Sequence, residues 1–129
     1  MAAGSRRKIF FDGGCQPNPG AMSAAVVMRG EAHFFDDLGE GTSTDAEWTA
    51  LVLALTLAHD LGERDFDLVG DSREVIAQAS GLTRCAPAAL HHLARYSRIA
   101  LLGAPRRLVW TPRAQNLAGI ALARRAAGL

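Results

Sequence analysis

A chain of 129 residues, 49% hydrophobic and 21% charged, has material for one domain with one core and is too apolar to be wholly disordered. Its formal net charge is +1, from 14 Lys and Arg against 13 Asp and Glu, so charge alone gives no vote for a nucleic-acid partner. The longest apolar runs, such as Ala50–Ala58, fall short of the roughly 20 residues that span a bilayer, and no membrane association is expected.

The basic stretch Met1–Lys8 is followed by no apolar segment of the kind an export signal needs before Asp12. Cys15 and Cys85 then read as reduced thiols of a cytoplasmic protein. Lys8–Phe11 is a short apolar run that stops at the turn signal Asp12-Gly13-Gly14. Ala24–Arg29 and Ala32–Leu38 predict two more strands, and the short Arg29-Gly30-Glu31 connection makes them an antiparallel hairpin. From Asp45 to Leu61 the apolar residues Trp48, Leu51, Val52, Leu55 and Ala58 recur at helical spacing, and Gly62 ends that helix. Phe66–Val69 predicts a brief buried strand and Ser72–Ala79 a short helix closed by Ser80-Gly81. Pro87 to Leu102 has helical spacing, Arg107–Trp110 predicts a fifth strand, and Asn116–Ala127 is an alanine-rich helix in which Gly119 costs about 1 kcal/mol relative to Ala. No linker or repeat interrupts the pattern, so residues 1–129 are read as a single domain.

Strands first, then alternating helices and strands, predict an α/β fold: a five-stranded mixed sheet flanked by helices. If the first and fourth strands are parallel neighbours, the crossover helix between them is right-handed. Asp12 and Asp71 then sit just past the carboxyl ends of adjacent strands, where open α/β sheets bind ligands. Each acid has an ordinary local explanation: Asp12 a turn residue, Glu47 the partner of Thr44 in a capping box, Asp71 an N-cap. Three acids brought to one end of a sheet from separate elements weaken those explanations. Crowded carboxylates raise one another's pKa, and a hard divalent cation with oxygen ligands, Mg²⁺ foremost, removes the conflict.

The segment Asp12-Gly13-Gly14-Cys15-Gln16-Pro17-Asn18-Pro19-Gly20 resembles the opening motif of type I ribonuclease H, Asp-Gly-(Gly/Ser)-Cys-x-x-Asn-Pro-Gly. Thr42-Ser43-Thr44-Asp45-Ala46-Glu47-Trp48-Thr49-Ala50-Leu51 is similar to that family's Thr-Asn-Asn-x-Ala-Glu-Tyr-x-Ala-Leu, and Gly70-Asp71-Ser72 to its fourth-strand Asp-Ser. Trp110-Thr111-Pro112-Arg113-Ala114-Gln115-Asn116 resembles the Trp-Val-Pro-Arg-x-x-Asn that enters the last helix. The four motifs run in order from Ile9 to about Ala123. The resemblance implies a ribonuclease H-like fold with strand order 3-2-1-4-5, and a monomeric endonuclease that cuts the RNA strand of RNA–DNA hybrids to leave 5′-phosphate ends. It implies two Mg²⁺ or Mn²⁺ ions held by Asp12, Glu47 and Asp71, an arrangement suited to in-line displacement at phosphorus. It also assigns the 2′-hydroxyl and ribose contacts to Cys15, Asn18, Ser43 and Glu47, and a DNA phosphate to Asn18 with Thr42.

One position departs from the family. Laid on its last-helix pattern Asn-x-x-Ala-Asp, residues 116–120 place Ile120 where the fourth acid is expected, and Ile120 cannot ligate metal. Asn116, one helical turn earlier on the same face, is either a weaker replacement ligand through its amide oxygen or simply the helix N-cap. A histidine-bearing loop before the last helix is also missing, leaving Arg113 as the long polar residue there. The expectation is real but reduced activity, leaning toward Mn²⁺. The alternative is a nucleic-acid-binding relative of the same fold that has lost catalysis. Resolvase-like nucleases, a third class, lack the Cys-x-x-Asn-Pro-Gly segment.

The remaining residues have plain readings. Leu82–Ala86 is too short to hold the basic protrusion that many relatives carry, so hybrid affinity is expected to be modest and salt-sensitive. Trp48 and Trp110 read as core. Cys15 reads equally as a small filler, and His33, His59, His91 and His92 show no metal-ligand spacing, so no zinc site is expected.

Overall fold

The computed structural model describes residues 7–129; of the N-terminal stretch weighed above for an export signal, residues 1–6 lie outside the described residues. The chain opens with β1 (Arg7–Cys15), β2 (Gly20–Met28) and β3 (Glu31–Phe35), paired antiparallel in that order. Arg29 and Gly30, at φ 55° and 75°, form the two-residue hairpin turn whose backbone twist matches its strands. A two-residue strand, β4 (Glu40–Gly41), pairs with the start of β2. Then come α1 (Ser43–Asp60), β5 (Phe66–Gly70), α2 (Arg73–Ala79), a 3₁₀ turn at Pro87–Ala89, α3 (Leu90–Ala100), β6 (Arg107–Trp110), a second 3₁₀ turn at Arg113–Gln115, and α4 (Leu117–Ala126). β5 lies parallel to β1, and β6 parallel to β5, giving the order β3-β2-β1-β5-β6. This is the expected α/β architecture with one short strand added.

Strand alternation divides the core between two faces of the sheet. Ile9, Phe11, Ala24, Val26 and Met28 face α1 and α3, where Trp48, Leu51, Leu55 and Tyr96 close the main core. Phe10, Ala25 and Val27 face the other way and are covered by Ala118 and Leu122 of α4. Among the described residues no helix is long and apolar enough to cross a membrane.

Three local expectations are corrected. β1 does not stop at Asp12 but runs to Cys15, so Asp-Gly-Gly is strand rather than turn. The reason is close approach: a Cβ on Gly13 would lie 2.1 Å from the Ala46 carbonyl oxygen, so the glycine lets α1 seat its first turn against β1. The cap of α1 is Thr42, not Thr44: its hydroxyl accepts from the Asp45 N–H while the Asp45 carboxylate accepts from the Thr42 N–H, completing the capping box. The cap of α2 is Ser72, not Asp71. Both shifts release an acid from a capping role.

Candidate active site

β1 extends past its last pairing with β5, Phe10 opposite Val69. Phe11 fills the core under α1, so Asp12, the next residue, points to the face covered by α4. There a Cβ on Gly119 would be 3.5 Å from the Asp12 carboxylate and 3.6 Å from that of Asp71. Asp71 follows β5 directly, and the Trp110 Nε1–H holds its backbone carbonyl at 3.1 Å. Glu47 enters from the first turns of α1, where its Oε1 accepts from the Gly13 N–H at 2.7 Å. Asp12, Glu47 and Asp71 thereby each offer a carboxylate oxygen within 4.8 Å of one another.

Such crowding is electrostatically costly without a cation. Burial pushes the Asp12 carboxyl up to about 6; a hydrogen bond with Glu47 opposes that rise, the Asp71 charge adds to it, and the Arg113 charge draws it back. Burial, followed by the Asp12 charge, pushes Glu47 up to about 9 against the pull of the Gly13 N–H. The second oxygen of Glu47, Oε2, is buried with no hydrogen-bond partner. A buried carboxylate oxygen in that position calls for a shared proton or a positive ion.

Asn116 lies fully buried at the start of α4. Its Nδ2 donates to the Phe11 carbonyl at 3.0 Å and to Asp71 Oδ2 at 2.9 Å, while its Oδ1 accepts from the Ala118 N–H at 3.1 Å. Turning the amide over would aim its oxygen at two acceptors and break the helix cap. The amide oxygen expected to face a metal therefore faces the helix, and the nitrogen faces the acid. Ile120 lines the cleft and is 41% exposed.

Asp12 and Asp71 open into a cleft of about 910 Å³ that is also lined by Cys15, Ser43 and Arg113, with Glu47 buried behind them. Asn18 and Ser43 interlock: Asn18 Nδ2 donates to Ser43 Oγ, and the Ser43 N–H to Asn18 Oδ1, both at 3.1 Å. Cys15 Sγ is 3.0 Å from the Gly41 carbonyl. The Thr42 hydroxyl is committed to the α1 cap rather than turned to the cleft. Sequence reasoning missed the Gly13 N–H as the anchor of Glu47, although the glycine in Asp-Gly-Gly was its visible sign. Asp36 and Asp37 on the cleft rim carried no sign at all.

A mixed sheet in this order, with acids gathered from β1, α1 and the end of β5, defines a ribonuclease H-like domain. The chain belongs to the reverse transcriptase-like family, whose model matches residues 10–126. A ribonuclease HI of Halobacterium salinarum is 37% identical over 83 residues, covering 60% of this chain and 42% of that relative's length. The crystal structure of an RNase H1 from the same archaeon superposes with a TM-score of 0.80 at 27% identity, covering 97% of this chain and all of the other. The N-terminal RNase H domain of a Mycobacterium tuberculosis protein gives a TM-score of 0.71 at 26% identity, covering 95% of this chain and 98% of the other. The fold is also that of LC11-RNase H1, solved in complex with an RNA/DNA hybrid, with a TM-score of 0.71 at 22% identity over 87% of this chain and 89% of the other.

Proposed function

We propose that this domain is a metal-dependent endonuclease that hydrolyses the RNA strand of RNA–DNA hybrids and leaves 5′-phosphate ends. The observation that carries the reading is the convergence of Asp12, Glu47 and Asp71, with a Glu47 oxygen buried and unmatched. An all-oxygen, carboxylate donor set suits Mg²⁺ or Mn²⁺. When bound, two such ions supply Lewis-acid activation of the attacking water and of the leaving 3′ oxygen.

The chain's own groups do the positioning. The Gly13 N–H fixes one oxygen of Glu47 and leaves the other for the cation. Asn116 holds Asp71 by its amide nitrogen, and we assign it this positioning role in place of direct ligation. Arg113 places positive charge beside Asp12, where a scissile phosphate would arrive. The Asn18–Ser43 pair presents a preformed polar edge to a ribose, with Cys15 filling the strand end beneath it. With Ile120 in place of a fourth carboxylate, one ion is held by fewer charges, and turnover is correspondingly lower.

A single-turnover assay on a labelled hybrid tests this reading, with Asp12→Asn as control. The expected result is RNA-strand cleavage in Mg²⁺ or Mn²⁺ by the wild type and none by the variant. Cleavage in neither metal, with retained hybrid affinity, would establish instead the binding-only reading that Ile120 motivates.

A further inference from the structure

Away from the acid triad, α3 meets the first turn of α1 and brings together Asp45, His91 and His92. Each offers one donor atom, and the three atoms lie within 4.8 Å of one another. His92 Nε2 is 2.8 Å from Asp45 Oδ1, and the ring centroids of His91 and His92 are 3.9 Å apart. Spacing along the chain hides this group, because the third donor is 47 residues from His92.

Three features go beyond an ordinary histidine–aspartate ion pair. Asp45 is already oriented: its Oδ2 accepts from both the N–H and the hydroxyl of Thr42, leaving Oδ1 for the histidine side. Outer hydrogen bonds of that kind fix the direction of a ligating carboxylate. The His92 ring is held almost parallel to Trp48, with 5° between the planes and 6.0 Å between centroids. It is only 5% exposed, and its Nε2 is directed at Asp45 Oδ1. His91 is exposed and gives access from solvent.

We propose that Asp45, His91 and His92 form a second metal site, selective for a late first-row divalent cation such as Zn²⁺. Two imidazoles with one carboxylate are a donor set that Zn²⁺ accepts in tetrahedral sites, with water in the remaining position. Mg²⁺, which prefers oxygen ligands and keeps its own waters, is a poor fit to it. Because Asp45 is half of the α1 capping box, an ion there ties α3 to the turn that carries Ser43 and, two residues after Asp45, Glu47. The site therefore links occupancy by a transition metal to the rigidity of the helix start that builds the cleft.

The test is calorimetric titration of the full chain with Zn²⁺ in saturating Mg²⁺, so that the carboxylate triad is already competed for. Wild type and Asp12→Asn are expected to bind one Zn²⁺ equally. His91→Gln, which changes an exposed residue and should keep the metal-free melting temperature, is expected to weaken that binding by about 100-fold, the upper end of what even an outer partner's loss costs. Asp45→Asn should weaken it as well, and Co²⁺ in place of Zn²⁺ should show visible absorption in wild type but not in His91→Gln. Absence of Zn²⁺ binding under excess Mg²⁺, undiminished binding by His91→Gln, or loss of binding in Asp12→Asn alone would overturn the proposal.

Discussion

In metal-free protein, raising the pH from about 4 to about 8 is expected to weaken the fold through the acid triad. The Asp12 carboxyl moves from an ordinary value of 3.8 to about 6, and that of Glu47 from 4.5 to about 9. Both are raised, so between these values the native state keeps protons that the unfolded chain has released, and stability falls as pH rises. The Asp12 contribution is intact below about pH 4 and lost above about pH 6; a shift of about two units corresponds to about 3 kcal/mol. Glu47 works in the same direction and extends the loss toward pH 9. Set against a usual total of about 5–15 kcal/mol, this is a large fraction. Urea unfolding in EDTA at the two pH values measures it directly. Asp12→Asn removes one charge and also relieves Glu47, so its loss over the same interval should be smaller by about 2–3 kcal/mol. Added Mg²⁺ should shrink the wild-type loss, since a cation favours the ionised carboxylates. Equal pH dependence in wild type and variant would refute the reasoning, whatever the histidines contribute to both.

Asn116→Ala removes an N-cap and strips the Phe11 carbonyl of a buried donor, a combined loss of about 2–4 kcal/mol that denaturant unfolding would register. The same variant frees Asp71, so hybrid cleavage should fall further than the fraction unfolded explains. Ile120→Asp should lower the Mg²⁺ concentration needed for half-maximal cleavage while reducing stability in EDTA, because it adds a carboxylate to a site already short of positive charge; an unchanged Mg²⁺ dependence would count against the placement of Ile120. Gly13→Ala forces a methyl group against the Ala46 carbonyl and is expected to cost about 4 kcal/mol or to prevent folding, read by circular dichroism and thermal melting.

Where side chains carried a strong period, the elements were legible in the sequence. The α1 residues Trp48, Leu51, Val52, Leu55 and Ala58 are all buried, as their spacing requires, and β6 spans the expected Arg107–Trp110. Where small residues stand in for apolar ones, the pattern fades. β2 begins at Gly20 rather than Ala24 because Gly-Ala-Met-Ser has little alternation to read. β4 has two residues and no period at all. Asp-Gly-Gly mimics a turn because glycine serves both chain reversal and close approach, and only the position of α1 distinguishes them. Likewise, Thr42 and Thr44 are both plausible caps by composition, each with an acid three residues on, and the choice falls to Thr42 because Asp45 answers it while Glu47 is taken by the Gly13 N–H.

The last of these choices decides what Glu47 is for. Capped from Thr44, the helix would draw Glu47 back to its own first turn; capped from Thr42, it assigns that task to Asp45 and leaves Glu47 against Gly13. Asp71 gains its freedom in the same way, because Ser72 rather than Asp71 accepts the Val75 N–H. Both acids are thus held by the backbone around them: Glu47 through a glycine N–H, Asp71 through its own carbonyl and the Asn116 amide. Side chains held in this way cannot simply swing into water when no cation is present. Their burial, with mutual repulsion added to it, appears instead as raised pKa values at Asp12 and Glu47, and the free energy these represent is recovered when positive charge arrives.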